Sequence, residues 1–355
     1  MQPVGTLKRA PEQGRDLLAV TPERRDAISR IAAALKPGMT VALSTHINAD
    51  GDGCGSQTAL VRLLRQMDVK AVILNPTPWP EMFRWLLGDD IEDRTKQGVA
   101  GLRGIDRMIV LDISDLRRLG VLADAVRAMP MDALVIDHHL PGDEPPGVTM
   151  LSDTAACATA ELVFDFAHAC GLTITTEIAK SLYTALVTDT GGFRFGNTSP
   201  RCLVVAAELL MAGVDPEQMY ARIYGSVPLG RIHLLRDALD TLEVDLDAGI
   251  AWVRLPADAL ERHGVSSEDL DGVTEYPRSI AGVRLAMLFR DLGYGKVKVS
   301  FRSLAGVNVN TLARAFGGGG HARASGALIE GSLAEVESQV LREARHGLET
   351  GALAD

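Results

Sequence analysis

The sequence predicts an α/β protein in two parts: an N-terminal, largely parallel sheet flanked by helices, then a smaller C-terminal α/β domain with a mixed or antiparallel sheet. Three observations carry that reading. Short apolar runs at 41–44, 71–74, 108–111 and 133–136 start 25–37 residues apart, room enough for a crossover helix between parallel neighbours. The segments between them have helical period. Past residue 280 the pattern becomes two adjacent strand-like runs joined by a short turn, the mark of antiparallel pairing.

Each apolar run is about four residues long and bounded by polar or turn residues, as a strand buried on both faces is. After Gly55, the stretch 56–67 places Ala59, Leu60, Leu63, Leu64 and Met67 on one helical face. A helix over 154–170 ends at Gly171, and 182–188 is apolar and helix-like. Ser199-Pro200 and Asp215-Pro216 each pair a capping residue with proline at the first helical position, and 229–242 reads as a further helix. In the second part, 283–290 and 296–302 are strands around the turn 291–295, and 309–316 is helical. The domain expectation is therefore a tail over 1–20, a first domain over 21–222, a connecting helix over 223–242 and a second domain over 243–347.

Composition excludes several classes. With 46% hydrophobic residues the chain is not disordered, and a formal charge of −10 makes it a poor general binder of long duplexes. It lacks the ~18 consecutive apolar residues of a membrane span, and its first residues lack a secretory pattern. Four scattered cysteines without a C-x-x-C pair read as reduced thiols, so the expectation is a cytoplasmic protein. One segment runs against the acidic balance: from Arg278 to Arg323 there are eight Lys/Arg and a single acid, Asp291. That suits a local anion site.

Acids and histidines follow the apolar runs. His46, Asp50 and Asp52 come after the first, Asp112 after the third, Asp137-His138-His139 after the fourth, and Asp189 after 182–188. Ligands in open α/β sheets bind at the carboxyl ends of the strands, so these groups are expected on one edge. Singly, each has a structural explanation as a cap, turn or packing residue. Together, four carboxylates with no Lys or Arg inside the motifs before Arg194 would repel unless cations neutralised them. Carboxylate and imidazole without thiolate suit Mn²⁺, with Mg²⁺, Co²⁺ or Fe²⁺ tolerated, and two such ions sharing a carboxylate form a device for phosphoester hydrolysis.

The motifs HINADGDGCGS (46–56), LDISD around Asp112, DHH (137–139), TDTGGFRF (188–195) and GGGGHARASG (317–326) together resemble those of the DHH phosphoesterases, in the subfamily with a type-1 DHH-associated C-terminal domain. The resemblance covers roughly residues 22–345, and length and the last two motifs look most like the nanoRNases, the oligoribonuclease/pAp phosphatases. It implies that one metal takes His46, Asp50 and Asp112, and the other Asp52, Asp112, His138 and Asp189. Asp137 would orient the histidines, and His139 would contact the scissile phosphate or the leaving oxygen, giving Asp112, Asp137 and His139 catalytic roles. One departure is Gly53, where the family usually has alanine; no ligand is lost by it.

The glycine run invites an anion, because successive N–H groups can turn toward it. Arg194, Arg290, Arg302, Arg314, Gly318, Gly319, Gly320, His321 and Arg323 are the expected substrate contacts, with Arg302, the glycines and His321 at the end remote from the scissile bond. Phe301 and Phe316 are expected in the core rather than stacked on a base. The function so implied is hydrolysis of dinucleotides and short single-stranded RNAs to mononucleotides, with pAp a further substrate, and no membrane partner. A homodimer is left open. The competing classes are a hydrolase dedicated to linear pApA or pGpG, a phosphatase of non-nucleotides, and a non-catalytic nucleotide-binding module.

Overall fold

The computed structural model describes residues 16–130, 133–225, 227–270, 272–304, 306–320 and 322–354. They form two compact units that divide between Gly225 and Ser226. In the first unit the elements run α1 (Pro22–Ala34), β1 (Thr40–Ser44), α2 (Gly51–Arg65), β2 (Lys70–Ile73), β3 (Arg107–Leu111), α3 (Ala123–Arg127), β4 (Leu134–Asp137), β5 (Thr149–Ser152), α4 (Thr159–Ala169), α5 (Thr176–Asp189), α6 (Pro200–Met211) and α7 (Pro216–Ile223). The described strands make one parallel sheet in the order β2-β1-β3-β4-β5.

The central strands are buried along nearly their whole length because helices cover both faces. One face, with Val41, Leu43, Ile109, Leu111 and Ile136, packs on the layer of α1, α2, α4 and α5. The other, with Ala42, Val72, Met108 and Val110, is covered by Leu116, Leu119, Leu122 and Val126. The two Pro-initiated helices start where their caps direct: Ser199 accepts from the Cys202 N–H and Asp215 from those of Glu217 and Gln218. Of the expected tail, residues 1–15 lie outside the described residues; the carbonyls of Leu17 and Ala19 accept hydrogen bonds from Arg201.

The second unit runs α8 (Leu229–Asp240), β6 (Glu243–Asp245), β7 (Ile250–Leu255), α9 (Ala259–His263), α10 (Glu275–Arg278), β8 (Leu285–Asp291), β9 (Lys296–Ser303), α11 (Val309–Ala315), β10 (Gly319–Gly320), β11 (Ala324–Glu330) and α12 (Leu333–Thr350). Its sheet has the order β10-β11-β9-β8-β7-β6 and is mixed, with β7 and β8 parallel and the other pairs antiparallel. One face buries Trp252, Phe289, Val299 and Phe301 against α11 and α12. On the other, Val253, Leu255 and Leu288 pack on α8 and α9, and the polar residues Lys298, Ser300 and Arg302 of β9 share that face. No described helix is long and apolar enough to cross a membrane.

Candidate metal centre

Three neighbouring strands, β1, β3 and β4, point their C-terminal ends at the same edge of the first sheet. They deliver His46, Asp112 and the pair His138–His139 there. Asp112 leaves β3 with a positive φ of 62°, a conformation that aspartate tolerates and bulky residues do not, and its N–H donates to the Ile136 carbonyl at 3.0 Å. Asp50 caps α2 by accepting from the Gly53 N–H, and Asp52 sits in that helix's first turn. Asp189 is the last residue of α5.

Glycine lets these two helices meet. A Cβ on Gly51 would lie 2.3 Å from Thr188 Oγ1, and one on Gly55 would lie 2.3 Å from the Ser181 carbonyl oxygen. No larger residue allows α2 so close to α5, and this approach brings Asp52 beside Asp189.

The donor atoms converge in three overlapping sets: His46, Asp50 and Asp112; Asp52, His138 and Asp189; and Asp112, His138 and His139, each with its ligand atoms within 4.8 Å of one another. His46 Nε2 is 3.5 Å from Asp50 Oδ2 and 3.5 Å from Asp112 Oδ2. His138 Nε2 lies 3.6 Å from Asp112 Oδ1, 3.7 Å from Asp52 and 3.8 Å from Asp189. Asp112 therefore turns one oxygen to each side. The imidazoles are held from behind: His46 Nδ1 donates to the Ile47 carbonyl at 2.9 Å and His138 Nδ1 to that of Ala156 at 3.3 Å, which leaves each Nε2 facing the acids. His139 Nδ1 is 2.8 Å from Asp137 Oδ1, so of the two histidines Asp137 orients His139.

The electrostatics are those of a cluster built around cations. Burial, then the charges of Asp112, Asp189 and Asp50, drive the Asp52 pKa well up. Burial pushes Asp189 up to about 6, with His138 opposing and Asp112 and Asp50 adding. Burial works against a charged His46, but its hydrogen bonds to Asp112 and Asp50 and their charges outweigh it and raise its pKa to about 10. Burial would also raise Asp112; the His46 hydrogen bond and the charges of His139, His46 and His138 hold it below the usual carboxylate range. No described lysine or arginine is ion-paired with these four acids. Inward-facing Nε2 atoms, which become ligands on losing a proton, and converging carboxylates fit divalent cations, and the His and acid groups could hold them.

Several residues around the centre had no place in the sequence reading. Ser56 Oγ donates to Asp52 Oδ1 at 2.9 Å, and the N–H groups of Thr159 and Ala160 donate to Asp52 at 2.6 and 3.1 Å. Thr159 Oγ1 donates to Asp112 Oδ1 at 3.1 Å. Asn197 Nδ2 donates to Asp189 Oδ2 at 3.0 Å and to the Cys157 carbonyl at 2.8 Å. Arg118, half-buried, exerts its charge on His139. The one available signal was negative: Ala158, just before α4, is a poor helix cap, so another group must serve.

The expected substrate contacts are distributed otherwise. Arg194 is exposed after α5, with Nε donating to the Gly191 carbonyl at 2.5 Å. In the second unit, register puts Arg290 opposite Lys298, with Arg302 farther along the same face. Arg302 pairs across to Ala324, and Ser300 to Gly326, so this basic face is lined by small residues. Burial lowers the Arg290 pKa. Arg314 is exposed on α11, which packs on the opposite face, and Arg323 donates to the Val307 carbonyl at 2.7 Å. Gly319 and Gly320 form an edge strand against Gly326 and Ser325, and a Cβ on Gly318 would lie 2.1 Å from the Gly326 carbonyl oxygen. His321 lies outside the described residues. Phe301 is fully buried and Phe316 half-buried against the same core.

Residues 40–186 match the family described as DHH family, N-terminal domain, and residues 250–349 match the DHHA1 domain. The bifunctional oligoribonuclease and PAP phosphatase NrnA of Thermus thermophilus is 32% identical over 86% of this chain and 89% of its own length. The protein of the same name in Bacillus subtilis is 28% identical, over 82% of this chain and 89% of its own. Among solved structures, an exopolyphosphatase-related protein from Bacteroides fragilis aligns with a TM-score of 0.82 at 26% identity, covering 93% of this chain and 99% of that one.

Proposed function

The chain belongs to the DHH family and carries a DHHA1 domain, and on that premise we propose that it is a two-metal phosphoesterase that cuts dinucleotides and short single-stranded RNAs to mononucleotides and removes a phosphate from pAp. The observation that carries the reading is Asp112, whose two oxygens face separate ligand sets 3.5 and 3.6 Å away. His46, Asp50 and Asp112 hold one cation; Asp52, Asp112, His138 and Asp189 hold the other. Mn²⁺ is the favoured ion, because the donors are carboxylates and imidazoles without thiolate. When bound, such a pair supplies Lewis acidity toward the phosphoryl oxygens and a nucleophile at neutral pH. His139, steadied through Nδ1 by Asp137 at 2.8 Å, presents Nε2 to the leaving oxygen as the group that assists its departure.

Residues 21–222 are the catalytic domain, 223–242 the linking segment that contains α8, and 243–347 the substrate-binding domain. Arg290 and Arg302 on the face of the second sheet away from α11, with Gly318, Gly319, Gly320, His321 and Arg323, bind the phosphates and the far end of the nucleotide, while Arg314, on the helix that packs on the opposite face, does not join them. The net charge of −10 speaks for short substrates and against long duplexes, and the scattered cysteines for the cytoplasm. The test is turnover with Mn²⁺ on a panel of pApA, pGpG, other dinucleotides, pAp, RNAs of increasing length and a non-nucleotide phosphoester. The reading expects the fastest cleavage on dinucleotides, a fall with length, and phosphate release from pAp. Efficient processing of long RNA, or no metal-stimulated turnover at all, would reject it.

A further inference from the structure

Thr159 is fully buried and makes two contacts inside the metal centre. Its N–H donates to Asp52 Oδ2 at 2.6 Å, and its hydroxyl donates to Asp112 Oδ1 at 3.1 Å. Ala160 N–H completes the hold on Asp52 from the same helical turn, at 3.1 Å. The residue before them, Ala158, has no side chain that can cap α4, so Asp52 of α2 performs that task from across the unit.

From this geometry we infer that Thr159 is a positioning residue for the shared carboxylate: its hydroxyl fixes the rotation of Asp112 so that one oxygen serves each cation. The inference rests on the two-metal reading above. A carboxylate torsion is broad and roughly two-fold, so the backbone alone does not choose the orientation. Asp112 Oδ2 faces His46 Nε2 at 3.5 Å, and Oδ1 faces His138 Nε2 at 3.6 Å. The hydroxyl holds Oδ1 from the side of α4 by donating its single proton to it. Rotation of the carboxylate would lose that bond at a side chain that is itself only 1% exposed.

The decisive comparison is Thr159→Val against Thr159→Ser. Valine keeps the shape and both backbone donors to Asp52 but removes the hydroxyl; serine keeps the hydroxyl. Mn²⁺ binding to the full chain is followed by calorimetric titration and by electron paramagnetic resonance of the bound ions, with no substrate present. Wild type is expected to bind a pair of ions. Thr159→Val should weaken at least one of them by roughly ten- to hundredfold, the usual effect of removing a partner that orients a ligand, and Thr159→Ser should restore binding to within a few-fold. The spin–spin coupling between the ions should be lost in the valine variant and present in the serine variant. Should Thr159→Val fail to fold, Thr159→Ala takes its place in the same comparison with serine. A wild type that holds a pair, with valine binding equally well, would overturn this inference alone. Equal losses in valine and serine would overturn it too, since the methyl packing rather than the hydroxyl would be responsible. A wild type that binds no pair would overturn the two-metal reading and this inference with it.

Discussion

Asp112 and His139 lie on neighbouring strand ends, yet their replacement should have different consequences. Asp112→Ala removes a carboxylate that faces both ligand sets, so turnover should nearly vanish and both metals weaken. His139→Ala leaves both main sets intact and should lower turnover with metal content largely kept; metal analysis beside kinetics separates the two, and full activity of Asp112→Ala would sink the assignment. Gly53 allows a second test at this scale. A Cβ there would lie 2.6 Å from Thr45 Oγ1 and 3.0 Å from Thr45 Cγ2. Alanine is worth about 1 kcal/mol more than glycine within a helix, whereas crowding a packed site costs roughly 1–3 kcal/mol. Gly53→Ala should therefore gain stability only when Thr45→Ala accompanies it, with a coupling of about 1 kcal/mol or more in thermal melts of the four proteins. Strict additivity would show that Thr45 yields freely.

Among the elements, α1, α4 and α6 are joined by buried charge. Arg24 donates to Glu161 at 2.8 Å, to Asp165 at 2.7 Å and to Asp153 at 2.7 Å, while Arg201 holds Glu161 and Asp165 from the other side. Arg24→Met leaves two buried acids with one arginine, and should cost about 3–5 kcal/mol in urea unfolding; a loss below about 1 kcal/mol would make the network dispensable. In the second unit, Arg302→Ala on β9 should slow dinucleotide cleavage roughly ten- to hundredfold, the value of a charge-assisted hydrogen bond of ~1.5–3 kcal/mol, and leave metal content unchanged. An aryl phosphoester too short to reach it should lose much less. Equal losses on both substrates would assign Arg302 to folding.

What could be read from the chain at this scale follows burial. Strands β1 to β4 were legible because each carries a short buried apolar run, β2 at one edge of the sheet included, whereas β5 at the other edge, with Thr149 and Ser152 at its ends, carries no such signal. Two helix starts also differ from expectation. The helix expected from 56 begins at Gly51, because Asp50 caps it and close packing on α5 outweighs the poor propensity of three glycines. The helix expected from 154 begins at Thr159, because Asp153 turns the chain by accepting from the Ala155 N–H and Asp52 supplies the cap. The order of acids and histidines along the chain was visible; Ser56, Thr159 and Asn197 were not, since a hydroxyl or amide reveals its acceptor only once the fold exists.

For the molecule as a whole, metal and folding are linked through pH. Asp189, with its pKa raised to about 6, favours the unfolded chain increasingly as pH rises from the free value of 3.8 through 6. His46, raised to about 10, contributes stability that is fully present below 6.5 and is lost as pH rises through 10. Both trends weaken the metal-free protein at higher pH, and bound cations remove the cause of both. The gain in Tm on adding Mn²⁺ should thus be small at pH 5 and large at pH 8, and calorimetry at pH 7 in two buffers of different ionisation enthalpy should reveal proton release. A gain that shrinks with pH would contradict this. The cap that Asp52 places on α4 also bears on how the protein should be handled. An alanine at 52, the obvious choice for an inert bait with which to capture a nucleotide, would leave the first amides of that helix facing a void and would report on a damaged receptor. The sounder bait is His139→Ala, which leaves the ligands of both cations and the Asp52 cap on α4 in place.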